Sequence, residues 1–150
     1  MRKLLILFLL AALSLTAIGA VGCGGGEETA EASLTKAQYA LKADLICGAV
    51  GDEQFKNAGL YLQQHPGASE VDMVKPAAIP PLEKEIRELG VLNPPKKQEG
   101  DAQAIIEELK KAVRQLKEEP RAALYTKNSP FNKANTLARH LGLGDCSRNP

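Results

Sequence analysis

Ala102-Gln103-Ala104-Ile105-Ile106-Glu107-Glu108-Leu109-Lys110-Lys111-Ala112-Val113-Arg114-Gln115-Leu116 is the stretch whose reading decides the fold. Its apolar members, Ala102, Ile105, Ile106, Leu109, Ala112, Val113 and Leu116, return every three or four residues, which on a helix gathers them into one stripe. Glu107 to Lys111 and the neighbouring charges occupy the opposite side, and Pro120 ends or bends the element. An apolar stripe of this width is stable only when another element covers it.

The covering elements are read by moving outward. On the N-terminal side, Asn93-Pro94-Pro95 enforces a turn and Gly90-Val91 reads as a helix stop. Val71, Val74, Ala78, Leu82, Ile86 and Leu89 then form a second stripe, interrupted by Pro76 and by Pro80-Pro81. Proline lacks the amide donor and clashes inside a helix, so the pattern predicts a short helix near 69–75 and another over 80–89 with a proline in its first turn. Further back, Thr35 followed by Gln38 has the spacing of a capping box, and Tyr39, Ala43, Ile46, Cys47 and Val50 share one face of the helix it opens. Gly48, Gly51 and Gly59 each cost that helix ~1 kcal/mol relative to alanine, so the helix is expected to weaken after Val50 and break before His65-Pro66-Gly67. On the C-terminal side, Asn128-Ser129-Pro130 predicts a cap at Ser129 with Pro130 as first helical residue. Phe131, Ala134, Ala138 and Leu141 face one way, and Gly142-Leu143 predicts a left-handed stop that delivers Cys146 soon after. Alternating strand patterns and internal repeats are absent from the sequence. The fold class expected for residues 34–150 is all-α, an antiparallel bundle of about four helices.

The amino terminus carries a different message. Arg2-Lys3, the apolar run Leu4 to Leu13 and the small residues Ala20-Val21-Gly22 before Cys23 have the three regions of a secretory signal peptide, which is removed and takes no part in the fold. Ala20-Val21-Gly22-Cys23 resembles the lipobox of bacterial lipoproteins. The resemblance implies that residues 1–22 are cleaved, that the Cys23 sulfur receives a diacylglycerol, and that the new amino terminus is acylated, palmitate being such a chain. The other readings of the segment are an ordinary cleaved signal and an uncleaved membrane span from Leu4 to Val21, close to the lower length limit for crossing a bilayer. All three export the remainder of the chain. The expected location is the lipid-anchored, exported side of the cell membrane or envelope.

Residues 24–33, Gly24-Gly25-Gly26-Glu27-Glu28-Thr29-Ala30-Glu31-Ala32-Ser33, have nothing to bury. With Cys23 they read as a flexible tether with a reach of roughly 17 to 19 Å. The chain has three cysteines, an odd count that calls for an explanation in an exported protein. If Cys23 holds lipid, Cys47 and Cys146 remain, and in an oxidising compartment they are expected to form the one disulfide that closes the bundle. The other reading is a pair of buried free thiols.

Removing residues 1–22 takes away Arg2 and Lys3 and no acid, so 19 basic and 18 acidic groups become 17 and 18. A nearly neutral exported chain offers no electrostatic case for nucleic acid. Tryptophan is absent, and the aromatics beyond residue 22 are Tyr39, Phe55, Tyr61, Tyr125 and Phe131, few for stacking sugars or nucleotides. His65 and His140 lack ligand spacing with either cysteine, so neither a metal nor a cofactor is expected. Each histidine falls at a predicted helix end, where an imidazolium is favourable. Glu83, Glu85 and Glu88 could suggest paired carboxylates for catalysis. However, Glu83 to Arg87, Asp52 to Lys56 and Glu107 to Lys111 have the four-residue spacing that supports an exposed helix surface, and a solvated face is the expectation. Ser129-Pro130 lacks the glycines of a nucleophile elbow, and catalytic residues are not assigned. The domain over 34–150 resembles small helical, cysteine-paired domains of exported bacterial proteins with no assigned activity, which implies a location and not a mechanism. The function expected is binding, interaction or structure in the envelope, with an envelope protein as the possible partner besides the membrane. The alternative is a carrier holding a lipid or other apolar ligand inside the bundle; an enzyme is not expected.

Overall fold

The computed structural model describes residues 33–124 and 127–149, and Glu31–Pro150 forms one compact unit. Residues 1–22, Cys23 and the segment 24–32 expected as a tether therefore lie outside the described residues. The described residues are helical, and the expected all-α antiparallel bundle is present, built from four principal helices and closed by the Cys47–Cys146 disulfide. Helix α1 spans Lys36–Gln64, and its capping box forms as spaced: Gln38 N donates to Thr35 Oγ1 at 3.3 Å and Thr35 N donates to Gln38 Oε1 at 3.0 Å. The helix continues without a break after Val50 and ends at Gln64, just before His65. It runs unbroken through Gly48, Gly51 and Gly59: buried Tyr39, Ala43, Cys47 and Val50 hold its first half to the core, and beyond them Glu53 pairs with Lys84 on the following helical unit while Ala58 lies near Val74 and Ala77.

The second stripe also folds differently from its prolines' expectation. A single turn α2 (Glu70–Met73) runs through a π-helical turn, Val74–Ala78, directly into α3 (Ile79–Gly90), so no gap separates two helices. Pro76 has no amide to give, and the wider turn, in which Ile79 N donates to Val74 O five residues back, passes it without a break. Ser69 caps this unit, accepting from Asp72 N at 3.4 Å while Asp72 accepts from Ser69 N at 2.9 Å. Helix α4 covers Glu99–Glu118 with the expected face buried. Helix α5 (Asn132–Leu141) begins at Asn132 rather than at Pro130, because Ser129 Oγ accepts from Phe131 N at 3.2 Å and forms a turn ahead of the helix. Its end is as expected. Gly142 sits at φ +83, Leu143 N donates to Ala138 O at 2.9 Å, and Gly142 N donates to Arg139 O at 3.0 Å. That is the Schellman pattern, and Leu143 is buried by it.

Packing follows a closed circuit. Helix α1 lies against α3, α3 against α4, α4 against α5, and the C-terminal turn Cys146–Arg148 returns from α5 to α1. Leu82, Leu109, Leu116, Phe131 and Leu143 fill the middle of this ring. The last step of the circuit, from α5 back to α1, is the one made by the disulfide.

Candidate functional site

Two features of the domain carry chemistry, and α1 contributes to both. The first is the seat of the C-terminal hook, Gly142 to Asn149. Asp44 and Cys47 are three residues apart on α1 and share a side of it. The Asp44 carboxylate accepts from the backbone amides of Gly144 at 3.0 Å, Asp145 at 2.9 Å and Cys146 at 3.4 Å, so it caps the incoming turn. Cys47 completes the attachment with a disulfide to Cys146 across 99 residues, and both half-cystines are buried. Cys146 Sγ lies 3.3 Å from Ala43 O; bonded to sulfur it has no proton to donate, so this is a packing contact.

Glu85 lies against this bridge. Its side chain is fully buried, which corrects the expectation that the Glu83, Glu85 and Glu88 group is a solvated face. One of its oxygens accepts from Asn149 Nδ2 at 3.2 Å, while Oε2 meets no hydrogen-bond partner among the described residues. Burial disfavours the carboxylate, the Asn149 bond opposes it only in part, and the pKa is pushed up to about 7. Asn135 extends the polar cluster by donating to Asn149 O at 2.9 Å. A carboxylate oxygen of Glu85 and the two cysteine sulfurs lie within 4.8 Å of one another. Because the sulfurs are joined to each other, neither is a thiolate, and in this state the trio is not a ligand set. What the arrangement can do is hold a proton beside a disulfide and exclude water from both.

The second feature is the outer side of α1. Leu41, Leu45 and Phe55 are 64%, 66% and 85% exposed, and Leu62 continues the line at 41%. They lie opposite the buried face that carries Tyr39, Ala43 and Val50. Helix α1 is thus apolar on two opposite sides, and only one of them is covered by the bundle. Beside Phe55 an apolar cleft of about 340 Å³ opens to solvent between α1 and the π-turn, with Gly51, Gln54, Met73, Val74 and Ala77 in its walls.

Several of the remaining charges form pairs at the surface. Glu107 takes Lys110 at 2.9 Å and Glu108 takes Lys111 at 2.8 Å, spacings of three instead of the expected Glu107 to Lys111. Glu83 reaches across from α3 to Lys117 on α4, and Glu53 on α1 holds Lys84 on α3 at 2.9 Å. A charged cleft of about 360 Å³ between α3 and α4, walled by Arg87, Lys110, Arg114 and Lys117, is partly neutralised by these pairs. His65 closes α1 by stacking on Tyr61 at 4.2 Å between ring centres, and His140 lies in the last turn of α5; the structure brings neither to the cysteines. Among the described residues, no helix is long and apolar enough to cross a membrane. The chain matches no family model, no curated protein and no solved structure.

Proposed function

We propose that this chain is an exported lipoprotein, anchored through a lipid on Cys23, whose disulfide-closed helical domain is an interaction module of the cell envelope. The observation that carries the interaction half of this reading is the uncovered apolar side of α1, the helix that directly succeeds the tether. Isolated exposed leucines are ordinary on a folded protein, but Leu41, Leu45, Phe55 and Leu62 line up along one side of a single helix, which marks a contact surface. The anchoring half rests on the basic, apolar and small-residue regions that end at Cys23.

Carriage of an apolar ligand inside the bundle has less support. Its middle is filled by Phe131, Leu82, Leu109 and Leu116, and the apolar cleft beside Phe55 is a surface feature. Catalysis has less still, because Glu85, whose proton affinity is strongly raised, is sealed from solvent beside the disulfide. The anchor is tested by Cys23→Ser. The unsubstituted chain is expected to carry lipid mass on Cys23 and the Cys23→Ser chain to carry none; an unsubstituted chain recovered from the membrane without lipid on Cys23 contradicts lipid anchoring. A single acyl chain holds only weakly, so stable retention requires the multiple chains that a lipidated and acylated cysteine would carry.

A further inference from the structure

We propose that the outward side of α1 is a self-recognition surface, on which two copies of this chain pair through antiparallel α1 helices. Leu41, Leu45, Gly48, Asp52, Phe55, Gly59 and Leu62 are spaced alternately four and three residues apart. That is the seam of a coiled coil, drawn on the side of the helix that the bundle leaves uncovered.

The glycines in the seam point the same way. Glycine disfavours a helix, and a helix keeps it where backbones must come close. Nothing in this domain comes close to Gly59, where an added Cβ would meet no atom within 4 Å, and Gly48 faces only the Asp145 carboxylate at 3.6 Å. At Gly59 the domain's own packing does not call for glycine, whereas an approaching helix would; Gly48 is flanked by the hook.

The order of large and small residues selects the direction and the partner. When two α1 helices run antiparallel about Val50, Leu41 of one copy falls opposite Gly59 of the other, Leu45 opposite Phe55, and Asp52 opposite Gly48. Leu41, Leu45 and Phe55 each meet a gap or an apolar neighbour, Asp52 meets Gly48 beside the Asp145–Arg148 ion pair, and Leu62 falls opposite Gln38 at the end of the paired stretch. The parallel alternative stacks Asp52 on Asp52 and glycine on glycine, bringing like charges together and leaving voids. A membrane surface fits less well. Lys36, Lys42 and Lys56 on α1 are balanced by Asp44, Asp52 and Glu53, whereas attraction to anionic lipid needs an excess of basic residues along the helix flanks.

The size of the surface sets its strength. From Leu41 to Gly59 the paired seam is ~27 Å long on a helix ~10 Å across, a few hundred Å² per copy and below the ~800 Å² per partner of a stable complex. Pairing in free solution is therefore weak. Two copies tethered to one membrane meet at an effective concentration on the order of millimolar, enough to populate a weak pair. This confinement rests on the proposed lipid anchor; the complementarity of the seam does not.

The test uses the full chain in its own membrane, with a photoreactive amino acid in place of Leu45. Illumination is expected to give a product of twice the chain mass, with the crosslink mapping to residues 52–59 of the second copy. Adding Phe55→Glu is expected to cut the yield at least tenfold while leaving the thermal midpoint unchanged, since Phe55 is exposed in the monomer. Crosslinks to residues 41–48 overturn the antiparallel arrangement. Crosslinks only to lipid or to a different protein overturn self-pairing, and absence of any crosslink does the same. The Cys23→Ser chain released from the membrane, at equal concentration, separates the two proposals: loss of the crosslink there supports pairing through membrane confinement, whereas an undiminished crosslink keeps the pair and overturns the role of confinement.

Discussion

Breaking the Cys47–Cys146 bridge, by a dithiol or by Cys47→Ala with Cys146→Ala, is expected to lower the stability of the domain by about 3 to 5 kcal/mol. The bridge spans 99 residues, and in the chain-entropy account a loop of that size withholds ~4.7 kcal/mol of conformational freedom from the unfolded chain. The folded state loses something as well, because the hook from Gly142 to Asn149 is the element that completes the packing circuit on α1. Without the covalent link it is held by non-covalent contacts, among them the Asp44 carboxylate, the burial of Leu143 and the Asn149 bonds to Glu85 and Asn135. In a thermal melt the change corresponds to a drop of roughly 10 to 20 °C for a domain of this size. Amide exchange is expected to quicken first at residues 142–149. A loss below ~1 kcal/mol would mean that the hook is held by its non-covalent contacts and that the bridge is incidental.

Glu85→Gln is expected to raise stability by about 3 kcal/mol at pH 8 and to change it little at pH 4. In the folded chain Glu85 keeps its proton up to about pH 7, whereas in the unfolded chain it loses it near 4.5. Between those two values the native state binds the extra proton, so raising the pH favours unfolding; below the lower value both states are protonated, and above the upper value neither is. The contribution of Glu85 is thus lost as pH climbs from about 4.5 to about 7 and is flat on either side. Glutamine keeps the shape and the acceptor for Asn149 Nδ2 without the charge, so the variant loses this slope. The check is a pair of denaturation series, wild type and variant, from pH 4 to 8. Parallel curves would show that Glu85 is solvated in both states. Below pH 4.5 the protonated acid and the amide are near equivalents, which separates the charge effect from packing.

Both effects arise at a place where letter-based periodicity stops short. The stripe Leu82, Ile86, Leu89 on α3 leaves room at the position three after Leu82 and four before Leu89, and Glu85 occupies it. Its helical register alone places it inward. Counting only apolar residues assigns it instead to the charged face with Glu83 and Glu88. The partner that admits it, Asn149, comes from a turn 64 residues away, which local spacing does not reveal. Asp44 is a similar case, a flanking acid on α1 until Gly144, Asp145 and Cys146 arrive with free amides. Three short-range signals translate directly: the Thr35 and Gln38 box, the Gly142 and Leu143 stop, and the α4 stripe.

The outer side of α1 eludes the same procedure for the opposite reason. Tyr39, Ala43 and Val50 on one side and Leu41, Leu45 and Phe55 on the other nearly cancel as a single direction of hydrophobicity, so one face is found and its counterpart passes as background. Pro76 misleads through a rule that holds for α-helices; the π-turn over Val74–Ala78 satisfies it by widening the hydrogen-bond spacing instead of ending the helix.

The claim that joins anchor, tether and domain is that Cys23 is chemically set apart from Cys47 and Cys146. Intact mass of the chain extracted from membranes without reduction measures this directly. The expected result is a chain beginning at Cys23, heavier than its sequence by a diacylglycerol and an acyl chain, and two hydrogen atoms lighter than the fully reduced form. A chain that retains Met1, or one that begins at Cys23 with an unmodified thiol, would contradict it.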